Sequence, residues 1–254
     1  MHKTLAIAAN TFREAIRDRI LYLLLAFALL MIASSLVLSL LTVGSREKII
    51  QDLGLSAISL FGVLTAIFVG VGLVFKEIDR RTIYTIVTKP VGRAQFILGK
   101  YLGLALTLTV NLVVMTAGFY TLLAIEGSAR ARLLPAVLLT LFELLVVTAV
   151  AIFFSSFSTP ILSALFTLSC YLVGHLTWSL RLLQGRLHAG WGRALCEVLY
   201  WVLPNLERFN IKAEAVHGAP VTAGEMVLAM LYGVAYATLV IAAACACFQR
   251  RDFV

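Results

Sequence analysis

The stretch LPAVLLTLFELLVVTAVAIFF, residues 134–154, decides the fold. Glu143 is the only charged residue among its twenty-one. The hydrocarbon core of a bilayer is about 30 Å thick, and an α-helix of roughly 20 apolar residues crosses it. The run is continuously apolar rather than alternating, so it predicts a membrane-spanning helix and not a strand of a β-barrel.

Further apolar runs of similar length lie on both sides of this stretch. Hydrophobic residues make up 61% of the chain and charged residues 13%, against about 25% charged residues in a typical soluble domain. We therefore predict an all-α polytopic membrane protein that forms a single domain, residues 1–254, without a large soluble part. The six predicted spans are residues 20–43, 55–75, 101–125, 134–154, 160–180 and 226–248.

Residues 4–19 have the pattern of an amphipathic helix. The apolar face consists of Leu5, Ala8, Phe12, Ala15 and Ile16, and the opposite face consists of Arg13, Glu14, Arg17 and Asp18. Such a helix is typical of a segment that lies in the membrane interface. We expect it to precede the first span.

Two of the segments between spans are expected on the side of the membrane opposite the N-terminal segment, and they differ in length. Residues 44–54 predict a short polar loop, whereas residues 181–225 form a long segment rich in aromatic side chains, which favour headgroup depth. Its part 191–203 is apolar and predicts short helices that dip into the leaflet. Pro204 is expected to end them.

The basic residues predict the orientation of the chain. The net charge is +8, but Lys and Arg lie mainly beside the apolar runs, where they bind lipid headgroups and set topology. They are more frequent in the N-terminal segment and after the second span than in the loops on the other side. We therefore predict that both termini are cytoplasmic and that residues 181–225 are external, with no nucleic-acid partner.

The loop after the second span carries the clearest functional signal. Residues 76–103 read KEIDRRTIYTIVTKPVGRAQFILGKYLG. Ile83, Ile86 and Val87 recur at helical spacing and Pro90 follows them, which predicts a short amphipathic cytoplasmic helix within a loop of residues 76–100. From the residues alone, this helix could dock a partner or lie on the lipid surface.

This loop resembles the first cytoplasmic loop of the permease subunits of type 2 ABC exporters. The segment 4–19 resembles the elbow helix of that family. PNLERFN (204–210) and RRDF (250–253) are similar to the subgroup that includes the permeases of nitrous-oxide-reductase maturation and gliding-motility loci. The residues that carry the resemblance in the loop are Glu77, Arg81, Thr82, Thr88, Lys89, Pro90, Val91, Gly92, Arg93, Phe96, Gly99, Lys100, Tyr101 and Gly103.

The resemblance implies a membrane permease that dimerises, with itself or with a homologous permease, in the inner membrane of a prokaryote. Each copy would bind one separate ATPase subunit, so that two ATPases hold the ATP and magnesium and this chain binds no cofactor and is not an enzyme. The short helix would be the coupling helix that enters a cleft of the ATPase and drives export. The implied contact residues are Glu77, Asp79, Arg80, Arg81, Thr82, Ile83, Tyr84, Ile86, Val87, Lys89, Pro90 and Val91. Arg93, Lys100 and Tyr101 are expected to anchor the third span at the interface.

Glu143 and Asn111 are the polar residues within the spans that could carry function. A carboxylate near the bilayer centre costs about 3 kcal/mol on insertion scales, so Glu143 should face a partner or a cavity. It could line the translocation path or a dimer interface, or it could be a neutral acid bonded to a neighbouring helix. His175 is one candidate neighbour, although its place near a span end favours the interface.

Other functions fit the sequence less well. An intramembrane enzyme needs several converging acidic, His or Ser/Lys groups, and the spans offer one deep Glu. Gly92 and Gly99 are too far apart for a phosphate-binding loop, and Tyr101 stands where Ser or Thr should follow the Lys. Cys245 and Cys247 do not face one point on a helix, so no metal site is predicted. A membrane scaffold that anchors a partner without transport remains the open alternative.

Overall fold

The computed structural model describes residues 2–40, 45–79, 92–177 and 191–249. These residues form nine α-helices and two short 3₁₀ turns, which confirms the predicted all-α class. The helices are α1 (His2–Ile16), α2 (Arg19–Leu40), α3 (Arg46–Asp79), α4 (Arg93–Ile125), α5 (Leu134–Ser155), α6 (Pro160–His175), α7 (Trp191–Val202), α8 (Lys212–His217) and α9 (Ala223–Gln249).

Five of the described helices are long and apolar enough to cross a membrane. They are α2, α3, α4, α5 and α9. Helix α6, in the fifth predicted span, is apolar but has only 16 residues, and at 1.5 Å per residue it is about 24 Å long. The described residues therefore contain five candidate spans, and the predicted count of six is not confirmed.

The second and third predicted spans belong to helices longer than the apolar runs. Residues 46–54 were expected in a loop but form the first turns of α3. Their polar side chains find partners at the same end of the bundle: Arg46 pairs with Glu126 at 3.3 Å, and Glu47 pairs with Arg130 at 2.8 Å. Because these charges are paired, the helix extends beyond its apolar part.

The helices on both sides of the predicted loop 76–100 extend into it, so the connection between them is shorter than predicted. Helix α3 continues to Asp79 and α4 begins at Arg93. The two helices have 34 and 33 residues, which corresponds to about 50 Å each at 1.5 Å per residue. This exceeds the hydrocarbon thickness of about 30 Å, so both helices extend past the membrane core.

Helices α3 and α5 form the centre of the bundle. Most of their apolar residues are buried, whereas α2 and α9 expose most of theirs. Helix α2 packs against α3, α9 against α5, and α6 against both central helices. The exposed side chains of α2 and α9 include Leu30 and Leu239, and such an apolar outer surface is the one that lipid covers.

Helix α6 ends beside the middle of α5, and residues 204–217 cover the bundle beyond that point. The 3₁₀ turn Leu206–Phe209 packs against α5 and α6, and α8 packs against α3. Leu206 and Phe209 are fully buried. A Cβ atom on Gly174 would lie 2.8 Å from the carbonyl oxygen of Pro204. The glycine therefore lets this segment rest directly on α6.

Candidate functional site

The structure describes only the edge of the predicted coupling loop. Glu77 and Asp79 belong to the last turn of α3. The other predicted contact residues lie outside the described residues: Arg80, Arg81, Thr82, Ile83, Tyr84, Ile86, Val87, Lys89, Pro90 and Val91. The loop starts and ends at the same end of the bundle because α3 and α4 are antiparallel neighbours.

Helix α1 lies across the beginning of α4, directly after this loop. A Cβ on Gly99 would lie 2.7 Å from the Cβ of Ile7, and one on Gly103 would lie 2.6 Å from the carbonyl oxygen of Ala8. Two glycines one turn apart thus allow the backbones to approach closely, as small residues do at helix contacts in membranes. We call this contact the α1–α4 clamp.

The face of α1 that packs on α4 includes the two alanines of the predicted apolar face together with Thr11. Ala8, Thr11 and Ala15 are buried there, whereas Leu5 is exposed. Close packing against glycines selects small side chains for the contact, while Leu5 is left for lipid or a partner. Hydropathy alone did not place Thr11 in this contact or Leu5 outside it, because it ranks leucine above threonine.

Lys100, which is predicted to anchor the third span at the membrane interface, is buried within the bundle. Its side chain is 1% exposed, and Nζ lies 3.7 Å from Glu14 Oε2 of α1. Tyr101 points inward as well, since its hydroxyl lies 3.5 Å from the carbonyl oxygen of Leu145 in α5. The clamp therefore contains, in addition to the glycine contact, a charge pair in which Lys100 is buried and Glu14 is partly exposed.

Glu143 is completely buried inside the chain and contacts His175. Its Oε1 lies 2.9 Å from Nε2 of His175, and Nδ1 of the same ring lies 3.2 Å from Oε2 of Glu207. The ring also packs edge-on against Tyr171. One imidazole thus joins the middle of α5 to the 3₁₀ turn of residues 206–209, and we call these three side chains the Glu143–His175–Glu207 network.

The network has to share protons among its members. A neutral imidazole has a single N–H, so it donates to one carboxylate and not to two. Bonding to Glu143 and Glu207 together requires either an imidazolium or a protonated carboxyl group. Glu143 Oε2 is buried and has no hydrogen-bond partner among the described residues.

Lys212 of α8 adds a positive charge near the network. Burial lowers the pKa of its ammonium, while the carboxylates of Glu143, Glu207 and Asp52 act in the opposite direction. The ammonium thus partly balances acidic groups from three different elements. Helix α8, which carries Lys212, packs against α3 and α5.

Asn111, the other predicted residue within a span, lies apart from the network. It is buried in α4, and its Nδ2 lies 3.5 Å from Thr65 Oγ1 of α3. No hydrogen bond joins it to Glu143 in the described part of the chain. Sequence reasoning placed His175 among the possible neighbours of Glu143. It did not connect Glu143 with Lys212 or with Glu207, although Glu207 lies in the PNLERFN motif at 204–210.

The comparisons with known proteins agree with this architecture. The model of a family described as "ABC-2 family transporter protein" matches residues 5–253, which is nearly the whole chain. None of the curated proteins that were compared matches it.

Proposed function

Since this chain belongs to the ABC-2 family of transporter proteins and is the membrane permease component of an ABC-2 type transporter, we propose that it forms a dimer, with itself or a homologous permease, that exports cargo with two ATPase subunits. ABC-2 permeases typically pair with an ATPase subunit, and ATP hydrolysis takes place there. The location we propose is the inner membrane of a prokaryote, within the subgroup of nitrous-oxide-reductase maturation and gliding-motility permeases.

The α1–α4 clamp is the observation that supports this proposal best. In the proposed transporter, α1 is the elbow helix, and residues 77–91 include the coupling helix, which inserts into the ATPase. Helices α3 and α4 emerge on either side of that loop and pass through the whole bundle. A push on the loop therefore moves two long rigid helices, and the clamp carries that movement to α1.

Glu143 and Asn111 are proposed to border the translocation path or a dimer interface. The Glu143–His175–Glu207 network fastens residues 204–217 to α5 and α6. Cargo leaving at that end requires this segment to move. A network of this kind is able to break and re-form, because only side-chain hydrogen bonds join its three residues.

We expect the double substitution Arg80→Glu and Arg81→Glu to abolish co-purification of the ATPase. The physical reason is that reversed charges oppose a docking surface arranged for the positive ones, and like charges in contact cost several kcal/mol. The measurement is pull-down of the ATPase with tagged permease, together with ATPase activity of the complex.

The matched control reverses Arg13 of α1 and Arg17, which follows α1 directly; both are exposed and are placed on the same side of the membrane. This variant should keep the ATPase bound. If the Arg80 and Arg81 variant retains the ATPase as well as the control does, the docking assignment is wrong. A complex that forms normally without any effect of the permease on ATP hydrolysis would favour the scaffold alternative.

The proposed six crossings, with both termini cytoplasmic, are tested by reporter fusions. Alkaline phosphatase requires disulfides that form only outside the cytoplasm. We expect it to be inactive when fused after Ser158 and active when fused after Gly218, because the α6 stretch lies between these positions. Equal activity at the two sites would show that α6 does not contribute a crossing, and a phosphatase active after Val254 would contradict a cytoplasmic C-terminus.

A further inference from the structure

An apolar groove lies on the outside of the bundle between α4, α5 and the start of α9. Its volume is about 710 Å³, within the range of about 300–1,000 Å³ that small-molecule sites occupy. Leu112 and Val113 of α4, Leu138 and Leu141 of α5, and Met226 of α9 form its walls. In a membrane, such a lateral groove opens toward lipid.

The length of the groove matches one lipid chain. Along α4 it extends from Thr109 to Tyr120, which is about 16 Å at 1.5 Å per residue. One leaflet contributes half of a hydrocarbon core of about 30 Å. The Tyr120 end lies where the helices end, since the hydroxyl of Tyr120 donates to the carbonyl oxygen of Arg130 in the connecting segment.

A small polar pocket adjoins the groove at this end. Its volume is about 200 Å³, and it shares Pro135 and Met226 with the groove. Arg132 and Glu214 line it together with Gly218. The two cavities therefore place a charged compartment at headgroup level directly above an apolar one.

The charged groups of the pocket are opposite in sign but do not neutralise each other. Arg132 donates from Nη2 to the carbonyl oxygen of Val216 at 3.0 Å. Its Nε and Oε2 of Glu214 are both buried without a hydrogen-bond partner in the described part of the chain. Buried groups of this kind are costly unless a partner satisfies them.

One polar group also lies deeper, within the groove itself. The hydroxyl of Thr116 is buried without a hydrogen-bond partner among the described residues. It lies one helical turn below Tyr120, about 6 Å toward the membrane centre. From the ends of the helices toward the membrane centre, the site thus presents two opposite charges, then a hydroxyl donor, then an apolar groove.

We propose that this site binds a phospholipid of the surrounding bilayer with a zwitterionic phosphoethanolamine headgroup. The phosphate faces Arg132, the ammonium donates to Glu214, an ester carbonyl accepts from Thr116, and one acyl chain fills the groove. A quaternary ammonium cannot donate a hydrogen bond to Glu214, and an anionic headgroup without an amine leaves that carboxylate unpaired. The site therefore selects the primary ammonium.

The test uses purified permease without any ATPase, so its outcome is separate from that of the docking proposal. Phosphatidylethanolamine, phosphatidylcholine and phosphatidylglycerol with identical acyl chains are offered in detergent, and bound lipid is counted by native mass spectrometry. We expect phosphatidylethanolamine to bind about tenfold more tightly than either of the others, because a hydrogen bond to a charged group is worth at least that factor.

Three variants locate the site. Glu214→Gln should remove the preference for the ethanolamine headgroup, and Val113→Trp should block the groove while leaving the core intact, because Val113 is exposed. Glu126→Gln, which alters the carboxylate paired with Arg46 outside the site, should bind lipid like the parent chain. Equal binding of the three lipids, a preference for phosphatidylglycerol, or an unchanged preference in Glu214→Gln would overturn the proposal.

Discussion

Substitution of His175 by alanine is expected to lower the free energy of unfolding by about 3 kcal/mol, since removing one partner of a buried pair strands the other. Glu143 is 0% exposed and its Oε1 contacts His175. Without the imidazole, this carboxyl group loses the hydrogen bond shown for it. The measurement is thermal or denaturant unfolding of the purified permease in detergent, with the parent chain alongside.

Glu207→Ala is the matched control for this prediction. Its carboxylate contacts the other nitrogen of the same ring, but its side chain is 46% exposed. Exposed pairs contribute at most about 1 kcal/mol, so the cost should be clearly smaller. The double substitution Glu143→Leu with His175→Leu should recover much of the loss because no buried polar group remains unpaired.

The network would have a different role if Glu207→Ala and His175→Ala lowered the free energy of unfolding equally. A loss from Glu207→Ala as large as that from His175→Ala would mean that the tie to residues 204–217, and not the burial of Glu143, stabilises this end of the bundle. Hydrogen exchange separates the two readings. Faster exchange confined to residues 204–217 in the His175 variant would indicate that the segment opens locally rather than with the whole bundle.

Hydropathy was sufficient to predict the helices whose ends coincide with the ends of apolar runs. Helix α5 was predicted at 134–154 and extends from Leu134 to Ser155, with a proline in its first turn as the sequence suggests. Helix α9 was predicted at 226–248 and extends from Ala223 to Gln249. In both cases the bilayer dimension and the local breakers indicate the same boundaries.

Boundaries that depend on tertiary partners could not be predicted in this way. The start of α3 looked like a loop because Arg46, Glu47 and Gln51 are polar, yet residues from the 126–130 region satisfy them. Helix α6 ends at His175 inside a longer apolar run. Residues 204–209, which are about thirty positions later in the sequence, pack against this end of the helix.

The site residues also divide into those that the sequence could reveal and those that depend on tertiary contacts. Glu143 stood out because a lone carboxylate in an apolar run is costly, and the structure indeed gives it a partner. Glu207 belongs to the PNLERFN motif, but its contact with His175 becomes visible only when the turn at 206–209 is placed beside α6. The burial of Lys100 could not be predicted because no pattern showed that α1 would cover it.

Replacement of Gly103 by leucine is expected to separate α1 from α4 and to eliminate stimulation of the ATPase. The new Cβ would meet the carbonyl oxygen of Ala8 at 2.6 Å and Thr11 at the same distance. A backbone atom cannot rotate away as a side chain can, so the helix itself must shift. Overpacking typically costs about 1–3 kcal/mol, and we expect a loss near the upper end with faster amide exchange throughout α1.

Gly72→Leu provides the matched control, because a Cβ at Gly72 meets no atom of the described residues within 4 Å. Both variants put the same side chain into a long helix, so the difference between them reports the clamp alone. Gly103→Ala should fall between the parent and the leucine variant, since its single methyl group already meets Ala8. If Gly103→Leu keeps full ATPase coupling while α1 exchanges freely, the clamp stabilises the fold without transmitting force, and the pathway from the cytoplasmic loop must run through α3 instead.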